Sequence, residues 1–209
     1  MFGRDKIREQ LELIVATRNR GKVREIKRVL KGLGLRIYSL GDFSDAPEIE
    51  EDGKSFTENA LKKARFYSKY FGKLTIADDS GLEVDILKGL PGIYSARFAG
   101  EGASNRENNR KLLREMEGIP LSKRGARFRC AIVMVSDEGK EVVAKGSCKG
   151  RIGFSEAGKR GFGYDPLFIL PQYGKTMAQL TLEEKNRVSH RGKALKKLKK
   201  ILLALNFQL

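Results

Sequence analysis

Ile76-Ala77-Asp78-Asp79-Ser80-Gly81-Leu82 closes an apolar run that begins at Leu74. A short buried strand stopping at Asp78-Asp79-Ser80 would bring two acids to one edge of a sheet. Ligands of open α/β sheets bind in the crevice outside the carboxyl ends of the strands. Neighbouring strand residues point to opposite faces, so one acid can face that crevice while the other is tied into the scaffold. The flanking sequence supports such a sheet. Residues 11–17 read as a buried strand, and residues 22–33 as a helix with Val23, Ile26, Val29 (or Leu30) and Leu33 on one face. Residues 35–40 form a second strand, and Ser55-Phe-Thr-Glu58 is a capping box that opens a helix to about residue 70. Short strands at 74–77 and 82–87 flank the acidic turn. A second capping box, Ser104-Asn-Arg-Glu107, starts a helix to about residue 116. Residues 127–136 and 140–147 form a hairpin, a third capping box stands at Thr181-Leu-Glu-Glu184, and a last helix runs over 191–205. Helices alternating with strands, followed by a hairpin, predict an α/β fold with a mixed sheet.

With 209 residues and 40% hydrophobic content the chain can build a core, which excludes a disordered basic tail. No apolar run approaches the ~20 residues of a membrane span. The stretch from Met1 to Glu9 is charged and lacks the apolar centre of a signal peptide. Two cysteines make neither a disulfide framework nor a zinc pattern, so buried free thiols and a cytoplasmic location are expected. Cys130 and Cys148 flank the turn Asp137-Glu138-Gly139. A turn centred on Gly139 sets them opposite each other, and a register one residue different separates them. The formal charge of +16 is uneven: residues 185–200 hold eight Lys/Arg and no acid, while residues 42–58 hold seven acids and one lysine. A basic excess suits a polyanionic partner. Leu195, Leu198, Leu202 and Leu205 form a packing stripe on the last helix, and Lys193, Lys196, Lys197 and Lys200 share another face and read as a solvated outer surface.

Four segments carry candidate chemistry. Ala16-Thr-Arg-Asn-Arg-Gly-Lys22 joins a strand to a helix and departs twice from a Walker A loop, at Ala16 and at Val23. Its helix N-terminus, the Thr17 and Asn19 side chains and the Lys22 ammonium still favour an anion. Glu48-Ile-Glu50-Glu51-Asp52-Gly53 is a carboxylate cluster. One or two carboxylates suffice for nucleotide-bound magnesium, so Glu50 or Glu51 with Asp79 would hold it. Gly161-Phe162-Gly163-Tyr164-Asp165-Pro166 is a flexible backbone carrying two aromatics, able to stack a purine. Lys185-Asn-Arg-Val-Ser-His190-Arg191 sits between two helices and holds the only histidine in a dense donor array.

Together these segments, with Phe56-Thr-Glu-Asn-Ala60 and Pro91-Gly-Ile-Tyr-Ser-Ala-Arg97, resemble the inosine triphosphate pyrophosphatase family, the non-standard purine nucleoside triphosphate pyrophosphatases. The resemblance spans nearly the whole chain after the first ten residues. It implies a single two-lobed domain over 11–209 around an elongated mixed sheet, with the active site between the lobes and residues 1–10 as a charged extension. It also implies a homodimer, with residues 91–98 as a candidate surface. The implied activity is magnesium-dependent hydrolysis of ITP, dITP and XTP to monophosphate and pyrophosphate. By position, Thr17, Asn19, Lys22 and Lys63 would hold the triphosphate. Glu50 would bind metal, with Glu51 as the alternative. Asp79 would act at the metal and as general base, and Ser80 would touch substrate. Phe162, Gly163, Tyr164 and Asp165 would enclose the base, and Lys185, His190 and Arg191 would complete recognition. Arg18 stands where many members have glycine and would place a large cation at the phosphate loop.

Two other functions compete. One is a P-loop kinase, or a P-loop NTPase releasing orthophosphate, against which the two Walker A departures speak. A nucleic-acid-binding protein would use the basic excess, but Asp78, Asp79 and the acidic island would repel its phosphates. No nucleic-acid or membrane partner is therefore expected.

Overall fold

A computed structural model describes residues 11–204; the charged extension at 1–10 and the end of the last helix at Leu205 lie outside the described residues. The chain runs β1 (Glu12–Val15), α1 (Arg20–Leu30), β2 (Arg36–Ser39), α2 (Phe56–Phe71), β3 (Thr75–Val84), α3 (Asn105–Glu115), β4 (Gly125–Val135), β5 (Glu141–Ile152), β6 (Phe168–Leu170), β7 (Lys175–Thr176), α4 (Leu182–Val188) and α5 (His190–Ala204). One seven-stranded open sheet has the order β2-β1-β3-β4-β5-β6-β7. β1 pairs in parallel with β2 and β3, and every later pairing is antiparallel. The sheet is thus mixed, as the element order predicted.

Local chemistry starts the helices where the capping residues stand. Ser104 and Thr181 form reciprocal boxes with Glu107 and Glu184. Ser55 caps α2 by accepting from the Glu58 N–H at 3.2 Å, but Glu58 reaches past the cap to the Lys54 N–H at 2.9 Å. Gly72, with φ of 59°, ends α2 in the left-handed conformation that glycine adopts without strain.

Burial then assembles the layers. Leu13, Val15, Ile76, Ile132 and Ala144 face α1 and α5, meeting Ile26, Leu30, Leu195 and Leu198. On the reverse side Ile14, Ala77, Ala131 and Val133 meet Ala60, Ala64 and Tyr67 of α2. A third cluster, with Leu82, Phe128, Phe168, Leu112 and Met177, fills the far end of the sheet around α3. Among the described residues no helix is long and apolar enough to cross a membrane.

Two local expectations are corrected. The strand does not stop at the acids: β3 is one ten-residue strand, and Asp78, Asp79, Ser80 and Gly81 pair with Ile132, Ala131, Cys130 and Arg129. The long partner β4 holds the backbone straight, and the acids are satisfied by side chains instead of by a turn. The hairpin register sets Cys130 opposite Gly146 and Cys148 opposite Phe128. That is the alternative register, and both thiols are free and buried.

Candidate active site

β1 ends while β3 continues. Their pairing stops at Val15↔Ile76, which leaves the next stretch of the β3 edge bare. The Asp78 carbonyl on that edge accepts from Lys63 Nζ at 3.0 Å and from Lys22 Nζ at 3.5 Å. A cleft of about 180 Å³ opens here, beyond the carboxyl end of β1. The crevice rule therefore holds for β1, not for the strand that carries the acids.

The pleat divides the two acids as predicted. Asp78 points toward α1 and α5, is 1% exposed, and spends its carboxylate on scaffold. Lys22 Nζ lies 2.6 Å from its Oδ1, and Arg191 bridges it through Nε at 3.0 Å and Nη2 at 3.2 Å. The Cys130 thiol donates to Oδ2 at 2.9 Å. Burial acts to raise its pKa, but Arg191 and Lys22 outweigh burial and hold the carboxyl well below the usual range. Asp79 points the other way, toward α2. It accepts from Asn59 Nδ2 at 3.1 Å and from the Ser80 N–H at 3.0 Å. Burial raises its pKa, and the Glu51 charge pushes the same way against Lys63 and Lys22.

Behind Arg191 lies a second acid, which motif reading missed. Glu25 of α1 is 3% exposed and sits 2.5 Å from Arg191 Nη1 and 2.7 Å from Lys185 Nζ. Burial opposes its charge, but Arg191 and Lys185 keep its pKa below normal. Lys185 also pairs with Asp165, whose Oδ2 accepts from the Phe162 N–H at 2.9 Å. The Phe162 ring lies over both cations, its centroid 4.8 Å from Lys185 Nζ and 5.4 Å from the Arg191 guanidinium carbon. His190 stacks on Phe128 at 4.6 Å, and its buried Nδ1 has no partner among the described residues. Burial, then Arg191 and Lys185, hold this imidazole well below its ordinary pKa and so neutral. The only sequence signal for Glu25 was a lone acid beside the apolar positions Val23 and Ile26.

Every site residue proposed from the sequence lines the cleft except Thr17, Lys63 and Glu50. Thr17 supports the loop, its Oγ1 accepting from the Asn19 N–H at 3.2 Å. Asn19 lines the cleft but caps α1, taking the Gly21 and Lys22 N–H groups at 2.9 and 3.1 Å. The anion-binding N–H groups expected there are thus already engaged. Lys63 is buried beside the cleft. Glu50 is exposed; Glu51 lines the cleft instead, held by Lys63 at 3.0 Å and by Arg97, whose Nη2 donates to its carbonyl at 3.4 Å. The alternative reading of the acidic cluster is the one the geometry favours. The Arg18 guanidinium points away from the phosphate-loop cleft that its own backbone borders. It turns back to donate to the carbonyls of Leu40 at 3.0 Å and Ala46 at 2.7 Å, clamping the acidic segment. Lys185 lies within α4, and His190 and Arg191 open α5, with only Ser189 between the helices.

The surroundings suit a hard divalent cation. Asp79 and Glu51 are neighbouring carboxylates at the cleft, and burial, with the Glu51 charge adding to it, raises the pKa of Asp79. Among the described residues no three His, Cys, Asp or Glu converge, so substrate oxygens and water would fill the shell, as magnesium in phosphate sites prefers.

A model of the Ham1 family matches residues 13–201. A dITP/XTP pyrophosphatase of Desulforamulus reducens is 52% identical over 192 residues, covering 92% of this chain and 96% of the relative. That of Geobacter sulfurreducens is 55% identical over 187 residues, covering 90% and 94%. A solved HAM1 protein from Coxiella burnetii superposes with a TM-score of 0.83 at 38% identity, over 93% of this chain and 99% of that one.

Proposed function

The chain belongs to the Ham1 family, and on that premise we propose that it hydrolyses deaminated purine nucleoside triphosphates, namely dITP, ITP and XTP. The products are the nucleoside monophosphate and pyrophosphate, and the activity clears such nucleotides before polymerases use them. The names of the relatives support the substrate class. The observation that carries the reading is the division of labour on β3: Asp78 is consumed by Lys22 and Arg191, while its neighbour Asp79 stands at the cleft with a raised pKa.

Asp79 and Glu51 would hold magnesium, which when bound lowers the pKa of attacking water and offsets phosphate charge. Asp79 orients that water toward the α-phosphorus and takes its proton; only attack there releases pyrophosphate intact. Lys22 and Lys63, both on the Asp78 carbonyl, face the phosphates and stabilise the leaving pyrophosphate. At the other end Phe162 covers the purine, and His190 and Arg191 read its 6-oxo acceptor. Adenine presents a 6-amino donor there and leaves these groups unpaired, a mismatch worth up to about 10⁴–10⁵ in discrimination. Tyr94, 50% exposed within the 91–98 segment, and the adjoining Leu90, 48% exposed, support a homodimer through that surface, and the two buried free thiols fit a cytoplasmic enzyme.

The test is a chromatographic panel of dITP, XTP, ATP and GTP with magnesium. The reading expects monophosphate and pyrophosphate from dITP and XTP, with ATP and GTP largely intact. Diphosphate and orthophosphate as products, or equal turnover of ATP, would overturn it.

A further inference from the structure

α3 presents three asparagines on one face. Asn105, Asn108 and Asn109 stand at i, i+3 and i+4, and the same stripe continues as Leu112 and Met116, both 0% exposed in the core. The face changes from apolar to amide where it leaves the core and meets two loops. Asn108 takes the first: its Oδ1 accepts from the Ala99 N–H at 2.7 Å and its Nδ2 donates to the Ala96 carbonyl at 3.0 Å. Asn109 takes the second, the glycine-rich loop. Its Nδ2 donates to Glu156 Oε1 at 2.8 Å and to the Gly163 carbonyl at 3.2 Å. One amide thus ties together the two ends of the segment that carries Phe162. The Asn109 side chain is 4% exposed, and its Oδ1 has no partner among the described residues.

We infer that Asn109 is a positioning residue for substrate recognition: it sets the glycine-rich loop so that Phe162 lies over Lys185 and Arg191, where the purine is read. The inference rests on the proposed role of Phe162 at the base. Stability alone does not account for Asn109. A buried amide with an unpaired oxygen costs free energy; an apolar side chain there removes that cost but leaves the Gly163 carbonyl without its donor. Leucine would also extend the Leu112 and Met116 stripe. The amide is explained by what it holds, a loop whose glycines 158, 161 and 163 have φ of 88°, 76° and 59°; the Arg160 N–H on the Ala178 carbonyl at 3.0 Å and the Tyr164 hydroxyl on the Ser95 carbonyl at 2.9 Å hold it elsewhere, and Asn109 adds the link between Glu156 and Gly163.

Three variants test this: Asn109→Leu, Glu156→Ala and Phe162→Ala, each also combined with the others. Glu156 is exposed, so its truncation removes an acceptor of Asn109 without disturbing the core. Melting temperature, kcat and KM for dITP, and the dITP to dGTP preference are measured. Asn109→Leu is expected to raise KM about tenfold, as two lost hydrogen bonds imply, and to leave kcat within about threefold. Glu156→Ala should move KM the same way by less. In the Phe162→Ala background Asn109→Leu should add no further loss, because it acts through that ring. If Phe162→Ala impairs KM while Asn109→Leu and Glu156→Ala leave it unchanged, the positioning role is wrong. A lower melting temperature with unchanged KM, or fully additive losses, is also against it. If Phe162→Ala itself leaves KM unchanged, the base-covering reading fails, and this inference fails with it.

Discussion

Asp78 and Asp79 are chemically identical and adjacent, yet their surroundings drive their pKa values in opposite directions. Strand alternation is the cause. The neighbour facing α5 is neutralised by two cations, and the one facing α2 is left among an amide, a lysine and another acid. Asp79→Asn keeps the shape and loses the base. It should cut kcat by about 10²–10⁴ with a smaller change in KM, and near-normal turnover would remove Asp79 from the chemistry. His190 gives a separate prediction in stability. Its folded-state pKa lies well below the ordinary value, so the unfolded chain binds the proton first as pH falls. Stability is then flat above about pH 6.5 and declines below it. The chain has one histidine, so denaturant titrations of the wild type and of His190→Gln between pH 5 and 8 isolate the effect. The wild-type slope should be absent in the variant; an equal slope in both would mean His190 is not buried neutral. At this scale the motifs located the cleft residues, while Glu25 escaped notice because its two cationic partners, Lys185 and Arg191, lie far along the chain. The neighbours Glu50 and Glu51 could be told apart only by contacts with Lys63 and Arg97.

Elements place these residues by how closely they approach. α5 carries His190 and Arg191 to Asp78 because it packs directly on β5 at Gly146. A Cβ there would stand 2.1 Å from the His190 carbonyl oxygen and 2.7 Å from the Ala194 nitrogen. Gly146→Ala must therefore push α5 away from the sheet, at a cost of about 1–3 kcal/mol, and loosen the contact between Arg191 and Asp78. Thermal unfolding and dITP kinetics should both worsen, and an unchanged melting temperature would show that the helix yields freely. Capping boxes and hydrophobic periodicity made most of the helices legible. The continuity of β3 was not, because two acids, a serine and a glycine in succession read as a turn. Only pairing to β4, more than forty residues later, makes that stretch a strand. The hairpin register was likewise open in the sequence, since a shift of one residue in the turn centre changes every cross-strand partner.

Across the whole molecule the basic excess proves to be partly structural. β6 pairs with β5 only at Arg151 and Ile152, which leaves most of the outer β5 edge bare. Two lysines of the α5 face, expected to be solvated, cover it: Lys193 Nζ donates to the Ser147 carbonyl at 2.9 Å and Lys197 Nζ to the Lys145 carbonyl at 2.8 Å. Charged side chains on an edge strand discourage pairing with other chains. The double variant Lys193→Ala with Lys197→Ala should therefore self-associate more at equal concentration, as read by light scattering, with dITP turnover per folded chain preserved. Unaltered scattering would show that the edge is protected otherwise. The sequence showed the charge but not its use, because the carbonyls it covers belong to a strand some fifty residues away.

The account comes down to where water attacks. Hydrolysis of dITP in ¹⁸O-labelled water, with the products analysed by mass spectrometry, reads that position directly. Attack at the α-phosphorus, as the placement of Asp79 requires, puts the label in the nucleoside monophosphate and leaves the pyrophosphate unlabelled. Label in pyrophosphate or orthophosphate would contradict it.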